Sequence, residues 1–186
     1  LKEQVEPPGV ARGQDHIRRV GKAEQRTQPL PQAQMDRFLV QLTIGYPDFQ
    51  SQVEILRGRQ TQNPLDAVRQ VTDRQAVLDM QRGVRAVTTS DALLEYITRL
   101  AEASRSHPLL QLGISPRGAL SVSRMARAHA YLQGRDFAIV EDVQAVFADV
   151  CAHRVLLSQR ARMEKTPARQ VMDSFLADVP LPHPAR

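Results

Sequence analysis

From residue 48 to residue 177 apolar side chains recur every three or four positions, in block after block, with no sustained alternation between apolar and polar. That period puts them on one face of a helix, and a series of such helices with short breaks can only bury those faces by packing helix on helix. The breaks are chemically explicit. Asp48 can cap a first helix over 48–60, with Phe49, Val53 and Leu56 on one face, and Asn63-Pro64 breaks it. Thr72 with Gln75 three residues later has the form of a capping box opening a helix through Val77, Leu78, Gln81 and Val84. Ser90-Asp91 starts the most regular stripe, Leu93, Leu94, Ile97, Leu100 and Ala101, which His107-Pro108 ends. Ser115 caps the next helix, Pro116 takes its first position and Gly134 stops it, with Val122, Met125, Ala126, His129 and Leu132 facing inward. A helix over 141–151 then buries Val143, Val146, Phe147 and Val150, and one over 166–177 buries Val171, Met172 and Phe175. No strand is expected after residue 47, and Pro180, Pro182 and Pro184 mark 178–186 as a tail.

The stretch Pro29 to Pro47 reads differently. Gln32 to Asp36 are good helix formers behind an early proline, so a short helix ends near Asp36-Arg37. Phe38, Val40, Leu42 and Ile44 alternate with Gln41 and Thr43, the period of a strand with one buried face, closed by Gly45 and Pro47. Arg37 then stands at a helix-to-strand junction that can aim a guanidinium outward. The plain alternative is a surface Asp-Arg pair at a helix end, worth tenths of a kcal/mol.

Arg117 raises a second question. It lies in the first turn of its helix, where the dipole is positive and an arginine is electrostatically misplaced. An anion between the guanidinium and the exposed N–H groups resolves the conflict, since both favour phosphate. A solvated head on a packed stem is the other reading.

Composition removes several classes of function. The 186 residues suffice for one good core, and 42% of them are hydrophobic. Aromatics are only 4% and tryptophan is absent, which argues against stacking platforms for single strands. The net charge is +5, but 22 of the 25 basic residues are arginines scattered along the chain, a basic surface and not a nucleic-acid stripe. No run approaches the roughly 20 apolar residues of a membrane span. The lone Cys151 fits a reducing compartment, so a cytoplasmic location is expected. Cys151 and His153 lack a second pair for zinc, His129 on an apolar face reads as a satisfied core histidine, and Arg124, Arg127, Arg160 and Arg162 read as solvated. Gly113-Ile114-Ser115-Pro116-Arg117 lacks the last glycine of a nucleophile elbow.

The helix-arginine-strand junction followed by a helical domain with a Ser-Pro-Arg helix start resembles the C-terminal part of an AAA+ ATPase of the MoxR family. The residues that carry the resemblance are Leu30-Pro31, Ala33-Gln34, Asp36-Arg37-Phe38, Gly45-Tyr46-Pro47, Glu54-Ile55-Leu56, Ser90-Asp91-Ala92-Leu93, Gly113, Ser115-Pro116-Arg117, Gly134-Arg135-Asp136, Glu141-Asp142-Val143 and His153-Arg154, in order between about Pro29 and Leu181. It implies a mainly α fold: a terminal helix-strand piece of an α/β AAA+ core over 29–47, an α-helical lid domain over 48–158, and a C-terminal helix and Pro-rich tail over 159–186. It implies that Arg37 is an arginine finger offered in trans to ATP on a neighbouring subunit. Arg117 is then the sensor arginine that reaches the γ-phosphate of ATP in its own subunit, with Ser115 in the same cofactor-binding set. It further implies ATP and Mg²⁺ as cofactors of the complete protein, a ring of copies taken as a hexamer, and a client or von Willebrand-type adaptor protein as partner.

The sequence also departs from that family. No G-x-x-x-x-G-K-S/T occurs, and no apolar strand ends in Asp-Glu to hold magnesium. Gly21-Lys22 has His16 where the first glycine belongs and Ala23 in place of Ser/Thr. The interval Lys22 to Gln28 holds no asparagine for a polar sensor, and Thr61-Gln62-Asn63-Pro64 has such letters on the wrong side of the expected strand. Ile139-Val140 makes a weak cap for the 141–151 helix. Residues 1–28 lack any apolar period and match nothing in the family, which reads as a disordered, truncated or frame-shifted lead. By itself the chain is therefore expected to bind no ATP tightly and to hydrolyse none. The competing expectation is a stand-alone, non-catalytic helical interaction module, with a basic DNA-binding domain a distant third.

Overall fold

The computed structural model describes residues 30–60 and 63–182, so the lead over 1–28, with its Gly21-Lys22 motif, and the end of the tail lie outside the described residues. The chain divides into units Leu1–Pro31 and Gln32–Arg186, and the account below concerns the second. Its elements are a single-turn helix α1 (Gln32–Met35), α2 (Phe49–Gly58), a 3₁₀ turn (Pro64–Ala67), α3 (Arg74–Ala86), α4 (Asp91–Ser106), β1 (Leu110–Leu112), α5 (Pro116–Leu132), α6 (Val140–Cys151), β2 (Leu156–Leu157), α7 (Gln159–Met163) and α8 (Ala168–Asp178).

The fold is mainly helical, and its core lies where α4, α5, α6 and α8 meet. Tyr96, Leu100, Val122, Val143, Phe147, Val150, Met172 and Phe175 are all buried there, as the three-and-four spacing requires. Helix starts follow the expected chemistry: Asp48, Ser90 and Ser115 each accept a hydrogen bond from an N–H one turn ahead, at Ser51, Leu93 and Gly118. Gly134 ends α5 with φ of 74°, its N–H bonded to Tyr131 O and that of Arg135 to Ala130 O, the paired closure that a left-handed residue permits. Ile139 offers α6 no side-chain cap, but its own N–H donates to the Asp142 carboxylate at 2.8 Å.

Several expectations are corrected. Residues 38–44 form no strand: Phe38, Leu42 and Ile44 are exposed, and the one long-range backbone bond of this stretch runs from Gln41 N to Asp149 O. Alternation alone does not make a strand when, among the described residues, no partner strand lies alongside to satisfy the backbone. Conversely, strands do occur after residue 47. β1 and β2 pair antiparallel, Leu110 opposite Leu157 and Leu112 opposite Leu156, and Thr88 bridges Phe137 in parallel. These pieces are too short to show a period. Asp73, and not Thr72, caps α3, its carboxylate accepting from Ala76 N at 2.8 Å, while Gln75 donates to Asp79. A carboxylate at a helix start also answers the dipole, which a threonine hydroxyl does not. The last helix begins at Ala168 because Pro167 takes the cap. Leu94 and Leu132 face solvent, and the α2 face of Phe49 and Leu56 is uncovered among the described residues.

Candidate functional site

The α1 turn is closed by three successive bonds, Asp36 N to Gln32 O, Arg37 N to Gln34 O and Phe38 N to Met35 O. Asp36 points inward from it and Arg37 outward. The Asp36 carboxylate accepts from Ser115 Oγ, at 3.0 and 3.2 Å to its two oxygens, and from Arg154 Nη1 at 3.0 Å. Ser115 Oγ in turn accepts from Gly118 N at 3.1 Å, so one hydroxyl caps α5 and tethers the Asp36 turn to it.

Arg154 was visible in the sequence only as part of a His-Arg pair, yet it is the centre of this arrangement. Its side chain is 1% exposed. Nε donates to Val150 O at 2.8 Å, Nη1 to Asp36 O at 2.5 Å, and Nη2 to Phe38 O at 2.6 Å and Ser121 Oγ at 3.1 Å. The missed signal is periodic: Val143, Val146, Phe147, Val150 and Cys151 form the buried stripe of α6, and Arg154 is its next position. Beside it, His153 Nε2 lies 3.0 Å from Phe38 O, and Gln32 Nε2 donates to His153 O. Cys151 is buried below; burial pushes its thiol up to about 12, against the opposing charge of Arg154, so it is no nucleophile.

On the outer side a cleft of about 570 Å³ is lined by Arg37, Arg117 and Arg124 with Leu39, Leu120, Ser121 and Asp36. The structure thus brings Arg37 and Arg117 to one cleft, and adds Arg124, which follows Arg117 and Ser121 on the same side of the helix and was read from the sequence as solvated. All three guanidinium groups are exposed and make no hydrogen bond or ion pair with the described residues. The only acid in the lining, Asp36, is already engaged by Arg154 and Ser115. Three unneutralised cations around one concavity favour an anion with several oxygens. No group of three or more His, Cys, Asp or Glu among the described residues could hold a metal ion.

A second buried charge cluster lies away from the cleft. Asp142, fully buried, accepts from both Nη atoms of Arg135 at 2.6 and 2.7 Å and lies 2.6 Å from His129 Nδ1. His129 is satisfied, as its apolar setting suggested, though by an acid. Arg160 pairs with Glu164, Arg162 donates to Leu157 O and Gln111, and Arg127 donates to Arg85 O, so of the four arginines expected to be solvated only Arg124 stands unpartnered among the described residues.

The AAA lid domain family matches residues 102–174, which span α5 and α6 and the arginines at their ends. Among curated proteins, the chain is 34% identical over 156 residues to YeaC of Bacillus subtilis, covering 84% of this chain and 49% of that one. It is 32% identical over 163 residues to the chaperone MoxR1 of Mycobacterium tuberculosis, covering 83% and 43%, and 32% identical over 175 residues to protein MoxR of Paracoccus denitrificans, covering 82% and 51%. The chain is similar to MoxR-family AAA+ ATPases. It corresponds to their C-terminal part and spans about half the length of the MoxR-family relatives it matches. A crystal structure of a Cytophaga hutchinsonii protein described as an ATPase superposes on it with a TM-score of 0.76 at 29% identity, over 84% of this chain and 50% of that one. Among the described residues no helix is long and apolar enough to cross a membrane.

Proposed function

We propose that this chain supplies the phosphate-sensing arginines of a MoxR-type ATPase, Arg37 as a finger acting in trans on ATP held by a neighbouring subunit and Arg117 as a sensor of the γ-phosphate in its own. The observation that carries the reading is the cleft whose cations, both residues included, have no partner among the described residues, while the one acid these residues contribute to it is already paired. The donor set fits a nucleotide phosphate; it does not fit Mg²⁺, for which no carboxylate cluster is present among the described residues. Phosphate loop and metal ligands belong to sequence that this chain does not contain. Bound ATP with Mg²⁺ supplies the transferring phosphoryl group, and what this chain adds is fixed positive charge where negative charge develops. Arg37 is fit for that because the backbone on both sides of it is held, while its head is left in solvent. Ser115 serves the site by fixing the start of α5 and the Asp36 carboxylate.

The wider activity follows the relatives. One of them is named a chaperone, which supports ATP-driven remodelling of client proteins by a cytoplasmic ring, taken as a hexamer, with a von Willebrand-type adaptor as a further candidate partner. The test uses the assembled ATPase that contains these residues. Arg37→Ala is expected to lower ATP turnover roughly a thousandfold, the usual contribution of a finger. Mixing that variant with subunits whose phosphate loop is disabled should restore turnover, because each then supplies what the other lacks. Unchanged turnover in Arg37→Ala removes the finger and favours a non-catalytic interaction module; a loss that mixing cannot repair makes Arg37 act in cis.

A further inference from the structure

Arg154 is buried and does not itself line the outer cleft, and yet it contacts the segments that carry Arg37 and Arg117. A guanidinium has five N–H donors in a fixed plane. Here each has an acceptor: Val150 O for Nε, Asp36 O and Oδ1 for Nη1, Phe38 O and Ser121 Oγ for Nη2. The two carbonyls flanking Arg37 are thus both held by one side chain rooted at the end of α6. The Asp36 carboxylate so oriented receives Ser115 Oγ, two residues before Arg117, and Ser121 lies one turn after it on the same helix.

We infer that Arg154 is a positioning residue that makes the Asp36-Arg37-Phe38 turn and the first turns of α5 one rigid body, so that Arg37 and Arg117 cannot move independently. The inference rests on the proposed roles of those two arginines for its significance, but the linkage itself is independent of them. Its consequence is directional. Any displacement of the α5 start by phosphate at Arg117 is passed through Ser115, Asp36 and Arg154 to Arg37, and from there to whatever Arg37 touches. Lysine cannot replace Arg154, since three donors on one nitrogen cannot span carbonyls of Val150, Asp36 and Phe38 together.

The experiment is native-state hydrogen exchange on the 186-residue chain, which needs no nucleotide. The reporting amides are Phe38, bonded to Met35 O, and Gln41, bonded to Asp149 O. Ser115→Ala removes a hydroxyl far away in sequence; it should speed exchange at Gly118, which loses its cap, and also at Phe38 and Gln41 by roughly tenfold. Ser115→Thr, which keeps the hydroxyl, should restore both. Arg154→Lys should release Phe38, Gln41 and Gly118 together while Val150 and the α4 amides keep their protection. Should Arg154→Lys fail to fold, the Ser115 pair decides alone. Faster exchange confined to Gly118 in Ser115→Ala overturns the linkage. Linked exchange together with unchanged turnover in Arg37→Ala keeps the linkage and overturns the finger, so the two failures are told apart.

Discussion

At Gly113 a Cβ would lie 2.7 Å from the backbone of Arg105 and of Ser104. The closeness has a cause on the other side of the residue: Ile114 N donates to the buried Ser104 Oγ at 2.8 Å, and Arg105 Nε donates to Ile114 O, so the strand end is drawn against the end of α4. Neither backbone can yield without breaking these bonds. Gly113→Ala is therefore expected to cost about 1–3 kcal/mol, the usual range for overpacking, read as a lower denaturant midpoint at unchanged slope. An unchanged midpoint would show that β1 is free to shift outward. Such single positions were unevenly legible. Ser115 and Gly134 announced themselves because capping chemistry is local. Arg154 did not, because its partners Asp36 and Phe38 lie more than a hundred residues away, and an arginine on an apolar stripe looks like the end of the stripe until those carbonyls are seen.

Between elements one buried tie is Asp142, which joins the exit of α5 to the entrance of α6. Burial alone would raise its carboxyl, but hydrogen bonds from Arg135, His129 and the Ile139 N–H, with the charge of Arg135, outweigh it and hold it at about 2, against a usual 3.8. A carboxyl depressed on folding contributes stability above its unfolded value and loses it as pH falls through the folded value. The chain should thus lose about 2 kcal/mol between roughly pH 4 and pH 2 on this group's account. Asp142→Asn should flatten that part of a stability-against-pH curve while lowering stability at neutral pH; an equally steep acid limb in the variant would assign the loss to other carboxylates. The existence of the helices and most of the inward faces from Ser90 onward were readable from periodicity, though Leu94 and Leu132 were not. The small sheet and the missing strand at 38–44 were not, since pairing depends on what lies alongside and not on the pattern within a segment.

For the unit as a whole, covered and uncovered surface are divided along the chain. From Asp91 onward the apolar stripes find each other, whereas Phe38, Leu42, Ile44, Tyr46, Phe49, Leu56, Val68 and Val71 are exposed, Ile44 completely so. Backbone groups over 42–47 have no hydrogen-bond partner among the described residues, which leaves donors and acceptors beside apolar side chains. An exposed, extended, alternating apolar segment is a template for pairing with another chain. The match takes in only 49% and 51% of two of the relatives, which therefore contain further residues against which such a segment can be laid. The isolated chain is accordingly expected to self-associate in a concentration-dependent way, with sedimentation velocity showing the monomer giving way to larger species. Leu42→Lys with Ile44→Lys should keep it monomeric without changing its helical circular dichroism, because neither side chain contributes to the core. If the double variant associates as strongly as the parent, the sticky surface lies elsewhere, and the groove between α3 and α5 that Val77, Met80 and Val84 line becomes the surface to substitute next.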